Sequence, residues 1–239
     1  MRGTSKLVTA VVMALSLCVG AAGMATARPG LYIGAGSATT VVPNTAGTFD
    51  GSTTFVDNTT TPTLMYLSGQ LKDGGGLGYL IGFGLNRFIS FEYVAANTTH
   101  KATHTLYTTA LETDAVVDIG LVALRVNIPL GSRFELFVRG GSSQGTVSMN
   151  QFAGDGGTLG ASYAPATMNT AVFSGSGTSV GAGVEFFMGR LGIGVSQTAH
   201  TLGFTKVTGA VSSGTIDPAM SATINQSLVT LTLNFKGSK

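Results

Sequence analysis

The chain has 239 residues, and only 10% of them are charged. A water-soluble domain usually carries about a quarter charged residues, so this composition argues against an ordinary soluble domain. The formal net charge of +2 comes entirely from Arg2 and Lys6. The rest of the chain is neutral, which argues against a nucleic-acid partner.

Residues 1–27 are interpreted as a cleaved export signal. A positively charged start is followed by an apolar stretch over 7–22 and by a small-x-small cleavage site at 25–27. The apolar stretch is shorter than the roughly 20 residues of a membrane-spanning helix. Cys18, the single cysteine, leaves with the signal, so the mature chain 28–239 has no disulfide and no cysteine ligand for a metal.

After residue 27 the apolar residues alternate with polar or small ones, which is the pattern of β-strands. In the last such segment, Val229, Leu231 and Leu233 share one face. Eight strands are predicted, at 31–36, 77–84, 88–94, 116–128, 133–140, 180–188, 190–196 and 229–235. One register stays open, because Asp118 falls on the apolar face of its strand. Either Asp118 lies above the lipid or a bulge resets the register.

The connections between these strands alternate strictly between short and long. Tight turns are predicted at 86–87, 129–132 and 189–190, and long connections at roughly 43–73, 98–114, 144–175 and 200–221. Short periplasmic turns and long external loops are typical of an outer membrane barrel, and a lipid-facing surface explains the low charge. The sequence therefore predicts an all-β, eight-stranded antiparallel up-and-down transmembrane β-barrel.

Two segments carry a resemblance to a known family. The run Gly30-Leu31-Tyr32-Ile33-Gly34-Ala35-Gly36 resembles the opening strand of OmpA-like, or porin-like, small outer membrane β-barrels, and Phe88-Ile89-Ser90-Phe91-Glu92-Tyr93 resembles their third strand. The resemblance covers 30–235. It implies a monomer that the barrel-assembly machinery inserts into the bacterial outer membrane. We expect a transmembrane barrel only, with no peptidoglycan-binding domain, so the resemblance implies no role in tethering the cell wall.

Five charged residues fall on inward-facing positions of the predicted strands: Glu92, Arg125, Glu135, Arg139 and Glu185. Charges buried in a narrow lumen must pair, because desolvation is costly. They are therefore predicted to form a network that fills and rigidifies the barrel. Two alternatives stay open, a polar path or gate for small solutes and a catalytic carboxylate pair. We expect no catalytic residue, no cofactor site and no metal site.

Other residues are interpreted without a specific site. The three histidines, His100, His104 and His200, fall in the long connections and are interpreted as solvated loop residues. Apolar stretches at 147–152 and 172–173 indicate hairpins that continue past the membrane, or an exposed patch for a partner. Aromatic residues near strand ends indicate interfacial girdles or ordinary packing: Tyr32, Tyr79, Phe88, Tyr93, Phe134 and Phe235.

The sequence thus predicts a location more than an activity. The favoured function is a structural or surface-interaction role, in which four long external loops on a rigid barrel contact an extracellular protein partner. The alternative is a narrow channel for small or hydrophobic solutes, and a lipid-modifying enzyme of the outer membrane is less favoured. The other expected partners are outer membrane lipid and the barrel-assembly machinery.

Overall fold

A computed structural model describes residues 30–42, 53–56, 64–67, 70–106, 109–152, 168–209 and 214–235. The signal predicted at 1–27 lies outside these residues and stays a prediction. Among the described residues, no helix is long and apolar enough to cross a membrane.

The described residues form eleven strands. They are β1 (Gly30–Val41), β2 (Thr53–Val56), β3 (Leu64–Leu67), β4 (Gln70–Leu71), β5 (Gly74–Gly84), β6 (Ile89–Leu106), β7 (Thr109–Leu130), β8 (Phe134–Phe152), β9 (Met168–Met188), β10 (Leu191–Gly209) and β11 (Gly214–Asn234). β2 and β3 pair with each other, and β4 pairs with one end of β6. The other eight strands pair with their neighbours in an antiparallel ring that closes between β1 and β11. The predicted eight-stranded antiparallel barrel is confirmed.

Tight connections join the ring strands at one end of the barrel, the turn end. Between β5 and β6, the Asn86 side-chain oxygen accepts hydrogen bonds from the backbone N–H groups of Phe88 and Ile89, at 2.8 and 2.9 Å. Gly131 and Gly189 take the left-handed conformation in the other two turns, with φ of 76° and 65°. Glycine adopts this conformation without the steric cost of a Cβ atom. All three turns lie where short links are predicted.

At the opposite end, the hairpin end, much of the predicted loop is strand. β6 and β7 stay paired out to Leu106 and Thr109, so the loop expected over 98–114 is an extended hairpin. β8 and β9 stay paired out to Phe152 and Met168, while β10 reaches Gly209. The loop boundaries predicted here are wrong, because the alternation of inward and outward residues continues along the strands. The stretches 147–152 and 172–173 are parts of such a hairpin.

The register around Asp118 is continuous. Asp118 pairs with Asn97 on β6 and with Thr146 on β8, and neither strand pair shifts there. No bulge intervenes, and Asp118 is exposed on the outer face. Its place is explained by height along the barrel, because its outward neighbours on β6 are Asn97 and Thr99, which are polar.

An apolar belt surrounds the turn half of the barrel. On β6 the continuous run of outward apolar residues ends at Ala95, and on β7 it ends at Val122. The belt residues are 38% to 67% exposed. They include Leu31, Ile33, Tyr79, Ile81, Phe83, Phe91, Tyr93, Val122, Leu124, Phe134, Leu136, Val180, Val184, Ile193, Val195, Val229, Leu231 and Leu233. Beyond the belt the outer face is mostly polar, with Lys101 and Asp114 as examples.

Candidate functional site

The charged residues of the lumen converge on the guanidinium of Arg125. Its Nη1 lies 2.8 Å from Glu92 Oε1, and its Nη2 lies 2.5 Å from Glu135 Oε1 and 3.2 Å from Glu185 Oε2. The four side chains are at most 2% exposed. Arg125 on β7 thus links carboxylates from β6, β8 and β9 in a region without bulk water.

Arg139 extends this network across the lumen. Its Nη1 lies 3.3 Å from Glu92 Oε2, and its Nη2 donates a hydrogen bond of 2.5 Å to Ser196 Oγ on β10. The ring of Phe137 lies beside both cations, with its centre 3.7 Å from Cζ of Arg125 and 5.3 Å from Cζ of Arg139. An aromatic face attracts a cation by its quadrupole, so Phe137 is part of the network and not only a filler.

Neutral side chains complete the hydrogen bonding of the carboxylates. Tyr32 Oη on β1 donates to Glu92 at 2.8 Å, and Thr232 Oγ1 on β11 donates to Glu185 at 2.5 Å. Asn127 accepts from Nε of Arg125 at 2.6 Å and donates to Ser90 at 2.9 Å. The charge network, defined as Glu92, Arg125, Glu135, Arg139 and Glu185, is therefore bonded to side chains from opposite walls of the barrel.

Glycines on the inner wall make room for the rings of Tyr32 and Phe137, which contact the charge network. A Cβ atom at Gly82 would overlap the ring of Tyr32, and one at Gly183 would overlap the ring of Phe137. Each ring therefore fills the recess that a glycine leaves on a neighbouring part of the wall. Tyr32 is fully buried, so the girdle position considered for it is wrong.

Two histidines occupy the interior beyond the charge network. His100 Nδ1 lies 2.7 Å from the carbonyl oxygen of Lys72, and its Nε2 lies 2.7 Å from Thr40 Oγ1 and 3.1 Å from Thr98 Oγ1. A carbonyl can only accept, so Nδ1 carries the proton and the neutral ring accepts at Nε2. On the opposite wall, His200 Nδ1 lies 2.7 Å from Ser179 Oγ.

The prediction that the histidines are solvated loop residues is wrong for His100 and His200, which are at most 1% exposed. The physical reason is strand period. His100 is in phase with Val94, an inward residue, and the strand continues without a break between them. The side chain of His104 lies outside the described residues.

The interior at the hairpin end is apolar. A cluster of buried residues, the distal core, fills it. Its members are Val42, Leu71, Ala102, Ala115, Val117, Ile119, Val147, Met149, Phe173, Leu202, Phe204, Val207, Ala222 and Ile224. The outer face thus changes from apolar to mostly polar along the barrel. Beside the belt the interior contains both the charge network and a smaller apolar cluster that includes Leu80, Val94, Leu121 and Leu228. Beyond the belt the distal core makes the interior mainly apolar.

A hydroxyl, an imidazole and an amide form a chain beneath the distal core. Ser179 contacts His200, and His200 Nε2 lies 3.1 Å from Gln226 Oε1. Such a chain resembles a nucleophile with its base. Ser179, His200 and Gln226 are all buried, at 6%, 0% and 2% exposed. Among the described residues, no group of three or more His, Cys, Asp or Glu side chains forms a metal-ligand set.

No protein-family model matches the chain, and no curated protein matches it. Solved structures do match. The outer membrane protein OprG from Pseudomonas aeruginosa has a TM-score of 0.55 and 10% identity, over 86% of this chain and 96% of that chain. Ail, the attachment invasion locus protein of Yersinia pestis, has a TM-score of 0.45 and 12% identity, over 86% and 98%. AlkL, an outer membrane protein, has a TM-score of 0.47 and 11% identity, over 87% and 92%.

The likeness to OprG concerns the fold. The chain has the fold of a small bacterial outer membrane β-barrel, and this agrees with the outer membrane location predicted from the sequence. The apolar belt agrees with it independently, since a band of lipid-facing side chains is the outer surface that such barrels present.

Proposed function

We propose that this chain is a closed, rigid outer membrane barrel with a structural or surface-interaction role. Its filled interior supports β-hairpins that project beyond the apolar belt and present their connections to an extracellular protein partner. The observation that carries the proposal is the filling of the lumen at two levels. The charge network crosses it beside the belt, and the distal core fills it beyond the belt.

The charge network supports a structural role because its bonds tie the walls together. Arg125 alone binds carboxylates from three other strands, and Glu92 binds both arginines. A polar path or gate would need carboxylates that meet solvent, whereas Glu92, Glu135 and Glu185 are each 2% exposed. A catalytic carboxylate pair would need substrate access to the same groups. The structural interpretation of this network is therefore the one that we propose.

The hairpin end supports a surface role because its strands stay paired and are anchored in the interior. The β8–β9 hairpin continues from the belt to Phe152 and Met168, and Val147 and Phe173 from its two strands are buried in the distal core. Rigid scaffolds that hold connecting segments at one end are where recognition residues are often found. We propose that the protein acts as a monomer, with outer membrane lipid around the belt and the barrel-assembly machinery as its insertion partner. The OmpA-like affiliation remains part of this proposal.

Conductance in planar bilayers tests the closed interior. The purified, folded wild type should give no stepwise conductance, because side chains block the axis at two levels. Stepwise conductance from the wild type that disappears in Arg139→Ala would contradict the proposal and favour the channel for small or hydrophobic solutes. Folding of each sample is verified by the migration shift between boiled and unboiled protein.

Attachment of cells tests the surface role separately. Cells that display the wild type should attach to surfaces coated with at least one purified extracellular matrix protein from a panel. A variant in which a Gly-Ser linker replaces residues 154–166, between β8 and β9, should attach less while folding normally. Equal attachment by cells with the wild type, with the variant and without the protein would contradict the surface role.

A further inference from the structure

A groove of about 490 Å³ lies on the outer wall of the barrel, where the apolar belt gives way to the polar outer face. Its floor includes Ala95 and Gly120, which are paired across β6 and β7. Tyr79 pairs with Ala95 on one side, and Gln144 pairs with Gly120 on the other. One row across four strands therefore contains an aromatic residue, two small residues and an amide.

The small residue at position 120 keeps the groove open. The hydroxyl of Tyr93 lies 3.0 Å from where a Cβ atom at Gly120 would stand. A larger side chain there would collide with Tyr93 or fill the groove. Tyr79 and Tyr93 are 50% and 48% exposed, so their rings form an accessible aromatic side of the groove.

The opposite side of the groove carries Asp118. Two other outward carboxylates of β7 each have a lysine partner. Glu112 pairs with Lys72, and Asp114 pairs with Lys101 at 2.5 Å. The hydrogen bond described for Asp118 comes instead from Asn97, a neutral amide, at 2.5 Å. Asp118 therefore brings to the groove a negative charge that its amide partner does not neutralise.

A carboxylate facing two tyrosine rings is complementary to an ammonium group. The carboxylate supplies charge, and the rings supply the electron-rich faces that attract cations. The groove also lies at the height where lipid head groups meet the belt. Below it, Val122 is 63% exposed and Leu124 is 44% exposed, which provides an apolar track for an acyl chain.

We propose that this groove binds a lipid of the surrounding bilayer whose head group ends in a protonated amine, with the amine between Asp118 and the tyrosines and an acyl chain along Val122 and Leu124. The charge of Asp118 selects the amine over an anionic head group. The open floor at Gly120 leaves room for the amine. The site is independent of the surface role proposed above, because it depends on the wall of the barrel and not on the connections at the hairpin end.

Native mass spectrometry of the folded protein with single lipids tests this site. The probes are phosphatidylethanolamine and phosphatidylglycerol with identical acyl chains. The wild type should retain phosphatidylethanolamine in preference to phosphatidylglycerol. Asp118→Asn should reduce this retention about fivefold, the factor that corresponds to about 1 kcal/mol for a partly exposed ion pair. Asp73→Asn, which removes an exposed carboxylate outside the groove, should leave it unchanged.

A steric pair of variants separates the groove from general charge effects. Gly120→Leu should abolish the preference by filling the groove. Gly75→Leu is the matched control, since Gly75 is exposed on the outer face away from the groove and an added Cβ there would meet no atom within 4 Å. Equal retention of the two lipids by the wild type would overturn the proposal. So would equal losses in Gly120→Leu and Gly75→Leu, or in Asp118→Asn and Asp73→Asn, with folding verified by gel migration.

Discussion

Arg125 and Arg139 lie directly opposite each other on β7 and β8, and Glu92 on β6 bonds to both. Like charges in this cross-strand position normally destabilise a sheet. Here carboxylates offset the repulsion between the two arginines. Arg125 pairs with three of them, Glu92, Glu135 and Glu185, whereas the ion pair described for Arg139 is with Glu92. We therefore expect Arg125→Met to lower the free energy of unfolding by about 3–5 kcal/mol, because it leaves buried carboxylates without their cation. Arg139→Met should cost less. Urea denaturation, with the folded fraction read from the gel migration of unboiled samples, measures the loss of stability in both variants.

The exposed ion pair of Lys101 and Asp114 is the control for the loss of stability expected in Arg125→Met. Both side chains are more than half exposed, so water and salt screen their attraction. Asp114→Asn should leave the urea midpoint unchanged. If Asp114→Asn destabilised the barrel as much as Arg125→Met does, burial would not be the reason for the strength of the network.

The recess at Gly82 should be coupled to the ring of Tyr32. Gly82→Ala places a methyl group inside that ring, and overpacking of this kind typically costs about 1–3 kcal/mol. In a Tyr32→Ala background the same change should cost much less, because the ring is gone. A double-mutant cycle should give a coupling energy of about 0.5–3 kcal/mol. Additive effects of the two changes would show that the ring does not depend on the recess.

Stability should fall in mild acid because of His100. His100 lies beyond the belt, which ends at Ala95 on β6. Burial lowers the pKa of its imidazole, while its bond to the Lys72 carbonyl and the charge of Asp73 oppose this effect only in part. The unfolded chain therefore takes up a proton more readily than the folded protein does, and stability decreases as the pH falls through the ordinary histidine pKa of about 6.5.

The measurement is the urea midpoint at pH 7.5 and 5.5 for the wild type and for His100→Gln. The wild-type midpoint should decrease more between these two values than that of the variant. His200 is present in both proteins, so its contribution cancels in the comparison. An identical decrease in both proteins would mean that His100 does not contribute.

A charge on the outer face should be costly only within the belt. Leu124→Arg places a cation within the belt, where the cost of a charge approaches the value of about 2–4 kcal/mol at the bilayer midplane. Thr99→Arg places the same cation beyond the belt, where the cost should be close to zero. Folding yield and urea midpoints in phospholipid vesicles measure both effects. A similar cost at the two positions would contradict the limits of the belt.

The sequence was sufficient for the barrel and for the inward faces of its charged strands. Glu92, Arg125 and Glu185 have the inward phase that alternation predicts, because an unbroken strand transmits its phase from residue to residue. One contact of the site was not predictable in this way. The bond of Tyr32 to Glu92 joins residues that are 60 positions apart, and it depends on strand pairing and on the recess at Gly82.

The length of the strands was underestimated for a different reason. Strand prediction relied on apolar residues that face outward, and these end where the belt ends. Beyond that height the outward residues are Asn97, Thr99 and Lys101, so the hairpin has the composition of a loop when only that face is considered. The inward residues Ala96 and Ala102 are small, which makes the opposite pattern weak. The position of His100 inside the barrel follows from this continuation.

The change of the outer face from apolar to polar along the strands has a mechanical consequence for the protein in its bilayer. If the barrel moved inward by a few ångströms, Asp118 would enter hydrocarbon, and if it moved outward, Leu124 would enter water. Both movements raise the energy, so the barrel has a defined depth of immersion. A barrel held at a fixed depth in the bilayer keeps its projecting hairpins at a fixed distance above the membrane. Any partner that docks there therefore meets them at one constant elevation.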